Sequence, residues 1–226
     1  MKRKTVTFLA FFSLLIAVFA GAAVYGTRAV LNPSDGQYIS DIATAEIGVE
    51  LWENGKKAET LYSSLTEIDP GRSYPDTIAV KNTTENEEYV RVVVRKYWNT
   101  EGEKDSSLSP SLIVLSPETS SWFENPNERT AERSVYYLRN SLKGEELSAA
   151  LFTSISIDKE IAKNYSASTS TDGKVITVTY TYDNDNAEFV VEMEAQSLQV
   201  PEGQKAVTSV WGVTNITADN GVLSLK

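Results

Sequence analysis

The pattern of apolar positions speaks first in the stretch "YVRVVVRKYW", residues 89–98. Taken every second residue, Val90, Val92 and Val94 fall on one side, with Trp98 two steps past Lys96. Tyr89, Arg91, Arg95 and Tyr97 fall on the other, with Val93 among them. Side chains alternate faces along a strand, so the spacing predicts a strand with one buried and one wetter face. On that expectation the arginines are the solvated side of a sheet, and replacing Arg91 is mild.

The same alternation recurs along the chain. In "EIGVELW" Ile47, Val49 and Leu51 oppose Glu46 and Glu50, and Asn54-Gly55 follows at once. That pair tolerates positive φ at both positions and predicts a tight hairpin. "DPGRSYP" marks a turn, and "TIAVKN", "SLIVLSP", "SVYYL" and "LFTSISI" read as further strands. "DKEIAKNY" is the best place for a short helix or turn. A hairpin is predicted from "KVITVTYTY" to "AEFVVEMEA" across "DNDN", with Phe189, Val191, Met193 and Ala195 on one face of its second arm. "AVTSVWGV" and "GVLSL" close the chain as strands. Roughly nine short strands with regular turn signals and few helices predict an all-β fold, an antiparallel two-sheet sandwich.

The first residues differ from all of this. Lys2, Arg3 and Lys4 precede a run from Phe8 to Val24 that is apolar except for Ser13, and small residues follow. Basic start, apolar middle and small exit are the order of a secretory signal. Residues 1–24 are expected to be a signal peptide, cut near Ala20, Ala22 and Ala23, with retention as an anchor the alternative. Residues 25–45 then form an N-terminal arm and 46–226 the sandwich domain. Contact with a membrane is expected only through the signal segment before cleavage.

Composition narrows the function classes. The chain of 226 residues has no cysteine and no histidine. A secreted domain without disulfides points to a bacterial exported protein, and more weakly to a Gram-positive one. The missing histidine removes the commonest general base and a major zinc ligand. Net charge is −10 over the whole chain, and −13 once the first 23 residues, with three basic and no acidic side chains, are set aside. Such a surface repels phosphate backbones, so nucleic acid is not an expected partner.

Candidate chemistry is thin. Asp183, Asp185 and Glu194 imitate a calcium loop, but Glu188 stands where the tight turn requires glycine, which favours a plain hairpin turn. No G-x-S-x-G elbow occurs, and a carboxylate pair among the 31 acidic residues has no visible signature. No catalytic residue, metal or cofactor is expected. Trp52, Trp98, Trp122 and Trp211 are either core or a ligand platform. An internal isopeptide bond is not readable from residue types alone.

The ordered pieces "IGVELWENG", "LTEIDPG", "VKNTTENEEYVRVVV", "YYLRNSLKGEEL", "LFTSISI", "EAQSLQ" and "VWGV" cover most of residues 45–215. With the long N-terminal signal they resemble the exported bacterial matrix-fibre family typified by TasA and camelysin, whose signals are processed by a SipW-type peptidase. The sequence departs from that family at "VYGTRAV", where a Phe- or Trp-rich segment often stands. The resemblance implies a jelly-roll sandwich at the cell surface or in the matrix. It also implies fibres in which an N-terminal strand of one subunit completes the next, and self-association with other matrix proteins as further partners. Camelysin is described as a protease, but no H-E-x-x-H helix is present to support zinc proteolysis.

A sheet edge can template another strand, and the arm has apolar residues without a nearby partner strand. Val30, Leu31, Tyr38, Ile39 and Ile42 are therefore the candidate contacts to a neighbouring subunit. The alternatives are an arm that packs on its own domain or stays disordered, and for the protein as a whole a surface module that binds carbohydrate or protein.

Overall fold

Thirteen consecutive residues, Glu88–Thr100, form one strand, and from Glu88 to Val94 every one of them is buried. A strand can be buried on both faces only if each face has its own cover. In a computed structural model that describes residues 42–44, 48–62, 65, 68–163, 165–172, 175–182 and 187–226, both covers are present. All described residues fall within one compact unit, Gly36–Lys226.

In chain order the described strands are β1 (Ile42–Thr44), β2 (Val49–Glu53), β3 (Lys56–Lys57), β4 (Ser73–Asn82), β5 (Glu88–Thr100), β6 (Glu103–Asp105), β7 (Ile113–Pro117) and β8 (Trp122–Glu124). They continue with β9 (Arg133–Leu138), β10 (Phe152–Ile157), β11 (Tyr165–Asp172), β12 (Val175–Tyr182), β13 (Ala187–Gln199), β14 (Ile216–Asp219) and β15 (Val222–Leu225). One helix, α1 (Gly203–Ser209), and four short 3-10 turns complete the described elements. A six-stranded sheet runs β1-β13-β5-β9-β8, with β6 also on β5, and a five-stranded sheet runs β3-β2-β4-β10-β7. All their pairings are antiparallel except that of β1 with β13.

The two sheets share one core, as an all-β sandwich does. Val90, Val92, Val94 and Trp98 meet Leu51, Ile78, Val80, Phe152 and Ile155 across it. The valine phase of β5 is thus the core phase that the alternation predicts. Asn54 and Gly55 take φ of 49° and 78°, and Glu53 pairs with Lys56 across them, so the Asn-Gly hairpin forms as its residues dictate.

The second face of β5 departs from expectation. Tyr89, Arg91 and Val93 are not solvated, because a C-terminal cap of α1 and the β14–β15 hairpin covers them. Val207, Trp211, Val213, Ile216, Ala218 and Leu223 pack there on Tyr89, Val93, Val135 and Tyr137. Arg91 is only 8% exposed. Its Nε donates to Gln196 Oε1 at 2.7 Å, its Nη1 lies 3.6 Å from Glu128 Oε1, and its guanidinium sits 4.9 Å from the Trp211 ring centroid. Only Arg95 keeps the exposed position expected of both arginines.

Two pairings also differ. β12 does not join β13 in a hairpin: it pairs with β11, Asp172 opposite Val175. Only Gly173-Lys174 separates those two residues, and Asp-Gly is itself a strong turn signal. β13 takes the longer partner, β5, over thirteen residue pairs. "AVTSVWGV" is not a strand, since most of it lies in α1 and the turn after it. Val207 lies in α1 and Trp211 just past its end, and both are buried in the cap.

These covers set the cost of change. Val92→Asp buries an unpaired charge between the sheets and is expected to cost more than ~4 kcal/mol, enough to unfold a marginal domain. Arg91→Ser is expected to cost ~3 kcal/mol by stranding Glu128, whereas Arg95→Ser stays within ~0.5 kcal/mol. Urea unfolding of the three variants checks the order, and an Arg91→Ser protein as stable as Arg95→Ser would contradict the buried assignment.

Candidate functional site at the outer edge of the six-stranded sheet

β13 is a long strand with one fully used side. Every residue from Ala187 to Gln199 has a partner on β5. On its other side, among the described residues, only β1 pairs with it, at Met193, Glu194 and Ala195. Three parallel pairs hold a short segment of the N-terminal arm against a thirteen-residue edge. Parallel pairing is slightly weaker per residue than antiparallel pairing. Each net hydrogen bond contributes only ~1 kcal/mol.

The side chains of β13 suit an edge that stays soluble. Phe189, Val191, Met193 and Ala195 are buried in the core, while Glu188, Glu192 and Glu194 stand on the opposite phase and are half-buried. Tyr97 Oη donates to Glu192 Oε1 at 3.0 Å, and Gln196 Nε2 to Glu194 Oε1 at 2.6 Å. Carboxylates on an edge strand discourage indiscriminate pairing with other chains.

The candidate arm residues divide. Ile42 takes the register position opposite Met193 of its own chain. Val30, Leu31, Tyr38 and Ile39 lie outside the described residues, as do Ala20, Ala22 and Ala23 of the expected cleavage region. Asp183 and Asp185 also lie outside them, and Glu194 is a β13 residue hydrogen-bonded to Gln196. Trp98, Trp122 and Trp211 are buried, so they do not form an exposed platform, and Trp52 is half-buried with Lys81 Nζ 5.9 Å from its ring centroid. Among the described residues no three acidic side chains gather to hold a metal, and no helix is long and apolar enough to cross a membrane.

One ionisable cluster escaped sequence reasoning. Asp76 is 2% exposed on the core phase of β4, and Asn54 Nδ2 donates to its Oδ1 at 3.2 Å. Glu53 shares a hydrogen bond with it and accepts the Tyr62 backbone N–H at 2.5 Å. The Tyr62 hydroxyl is buried beside them with no hydrogen-bond partner. Burial first, and then the charge and hydrogen bond of Glu53, push the Asp76 carboxyl up to about 6. The visible signal was "SYPDTIAV", where an acid stands in phase with Ile78 and Val80.

An acid whose pKa is raised on folding binds its proton more tightly in the folded state. Its stability penalty is therefore full above the folded value and shrinks as pH falls through it toward the unfolded value. Asp76→Asn is expected to raise the urea midpoint at about pH 8, with the advantage fading below about pH 6. An advantage that does not change with pH would contradict the shared-proton geometry.

Comparison of the chain with family models, with curated proteins and with solved structures returns no match.

Proposed function

We propose that this protein is an exported structural subunit of an extracellular bacterial matrix or biofilm fibre. In this account its N-terminal arm, freed by signal cleavage, completes the sheet of a neighbouring copy. The observation that carries the reading is the outer edge of β13, met among the described residues by only three parallel pairs from the arm. An arm strand held this lightly in its own chain can pair with the same edge of the next molecule. Donation from one end of a subunit to an edge of the next is head-to-tail, so it need not close and can run on into a filament.

Several further features support this reading. Successive strands change sheets, β4 to β5, β7 to β8 and β9 to β10, and such crossings support a jelly-roll-like reading of the sandwich. The basic, apolar and small order of residues 1–24 and the absence of cysteine fit export from a bacterium. Net acidity keeps the subunit soluble until a specific contact forms. The TasA and camelysin resemblance of residues 45–215 points the same way.

Removing residues 25–42 tests the arm directly. The truncated protein is expected to melt as a folded monomer and to form no fibres by electron microscopy under conditions where the longer protein does. Fibres growing at the same rate without the arm would sink strand donation.

A further inference from the structure

The inner face of the six-stranded sheet is apolar over most of its area and then turns polar at one place. Along β5 the core phase runs Val90, Val92, Val94, Lys96, Trp98, with a lysine among apolar residues. The neighbouring strands also carry polar residues on this face close by. Ser134 lies opposite Val94, and Glu124 opposite Tyr136 of the same inward phase. A groove of about 600 Å³ opens there, between β5, β8 and β9 on one side and edge strand β7 with the loop before it on the other. That size falls within the range of small-ligand sites.

The charges around the groove do not balance. Lys96 and Arg129 line it, against Glu124 and Glu132. Glu132 is already bridged to Lys104 at 2.6 Å. Glu124 Oε1 is buried, has no hydrogen-bond partner, and lies 3.5 Å from Arg129 Nε. Glu124 is thus the ion-pair partner of Arg129, and Lys96 faces the groove with no carboxylate of its own bridged to it among the described residues, inside a chain whose net charge is −10. Burial, and then the charge of Arg129, pull the Lys96 amine below its usual value. An added anion would relieve that strain. The remaining polar lining is hydroxylic, from Ser109, Ser111, Thr130 and Ser134, and Leu115, Pro117 and Tyr136 supply carbon surface.

We propose that this groove binds a carboxylate-bearing saccharide, a uronic acid unit of an acidic polysaccharide. The sugar carboxylate sits between Lys96 and Arg129. A ring hydroxyl donates to the Glu124 carboxylate, and the serine and threonine hydroxyls meet the others. Arg129 is the group that reads the carboxylate from the rim, since its side chain is 65% exposed. Lys96 is fixed from below, where its Nζ donates to Ile113 O. The assignment does not depend on fibre assembly, because the groove lies away from the β1–β13 edge.

Calorimetric titration of the purified protein with trigalacturonic acid tests it. The expected result is saturable binding that weakens with salt, about tenfold weaker binding of neutral maltotriose, and about a tenfold loss in an Arg129→Gln protein that still shows a cooperative melting transition. Glu124→Gln should lose affinity for the acidic sugar while keeping the preference for it over the neutral one. Absence of saturable binding, equal affinity for the neutral sugar, or an unaffected Arg129→Gln protein would overturn the proposal. A triglutamate peptide bound as tightly as the sugar would also overturn it, since the groove would then read only a carboxylate.

Discussion

The antiparallel ladder between β5 and β13 is the constraint on which the rest of the molecule depends. Thirteen residue pairs join two strands whose inner phases are mostly apolar, with Val90, Val92, Val94 and Trp98 on β5 and Phe189, Val191, Met193 and Ala195 on β13. On the outer phase β5 is also buried from Tyr89 to Val93. Such a ribbon cannot stand alone in water, because each apolar face must be covered. The five-stranded sheet covers one face. The last 24 residues, through α1 and the β14–β15 hairpin, cover part of the other. The cap is tied down by polar contacts as well as by area. Asn125 and Asn215 exchange hydrogen bonds at 2.6 and 3.2 Å, and the Tyr89 hydroxyl accepts the Gly221 N–H at 3.0 Å. Burying Arg91 under this cap is tolerable because Gln196, Tyr137, Glu128 and Trp211 all face it.

Local signals in the sequence carry as far as local physics does. The valine phase of β5, the Asn54-Gly55 hairpin and the alternation of β13 are each fixed by neighbours a few residues away, and each appears as its pattern predicts. What failed depends on distant partners. Tyr89, Arg91 and Val93 look like a wet face until Trp211, 120 residues after Arg91, folds over them. β12 and β13 alternate equally well, but alternation does not name a partner, and Asp172-Gly173 with the long β5 edge decided the pairing. Residues 206–209 close α1 and residues 210–213 follow it as a turn and irregular backbone, because Val207 and Trp211 are drawn into the cap instead of a sheet.

The sites show the same division. The polar intrusions into the inner phase, Asp76 on β4 and Lys96 on β5, stand in plain view as charged residues within apolar alternation. Their meaning was not visible, because it comes from cross-strand neighbours. Glu53 sits beside Asp76 through the β2–β4 pairing, and Glu124 and Ser134 line the same groove as Lys96 from β8 and β9. The edge of β13 was legible only as an expectation that some edge must exist. Its place at Met193–Ala195 emerges from the ladder itself.

The central proposal is that the outer edge of β13, met among the described residues by three pairs from its own arm, is an assembly surface. Hydrogen exchange of the β13 amides that point away from β5, measured before and after the protein assembles, tests it most directly. The account predicts fast exchange of those amides in the monomer and strong protection in the fibre, with little change along the β5 side. Outward amides that exchange at the same rate in both states would contradict it.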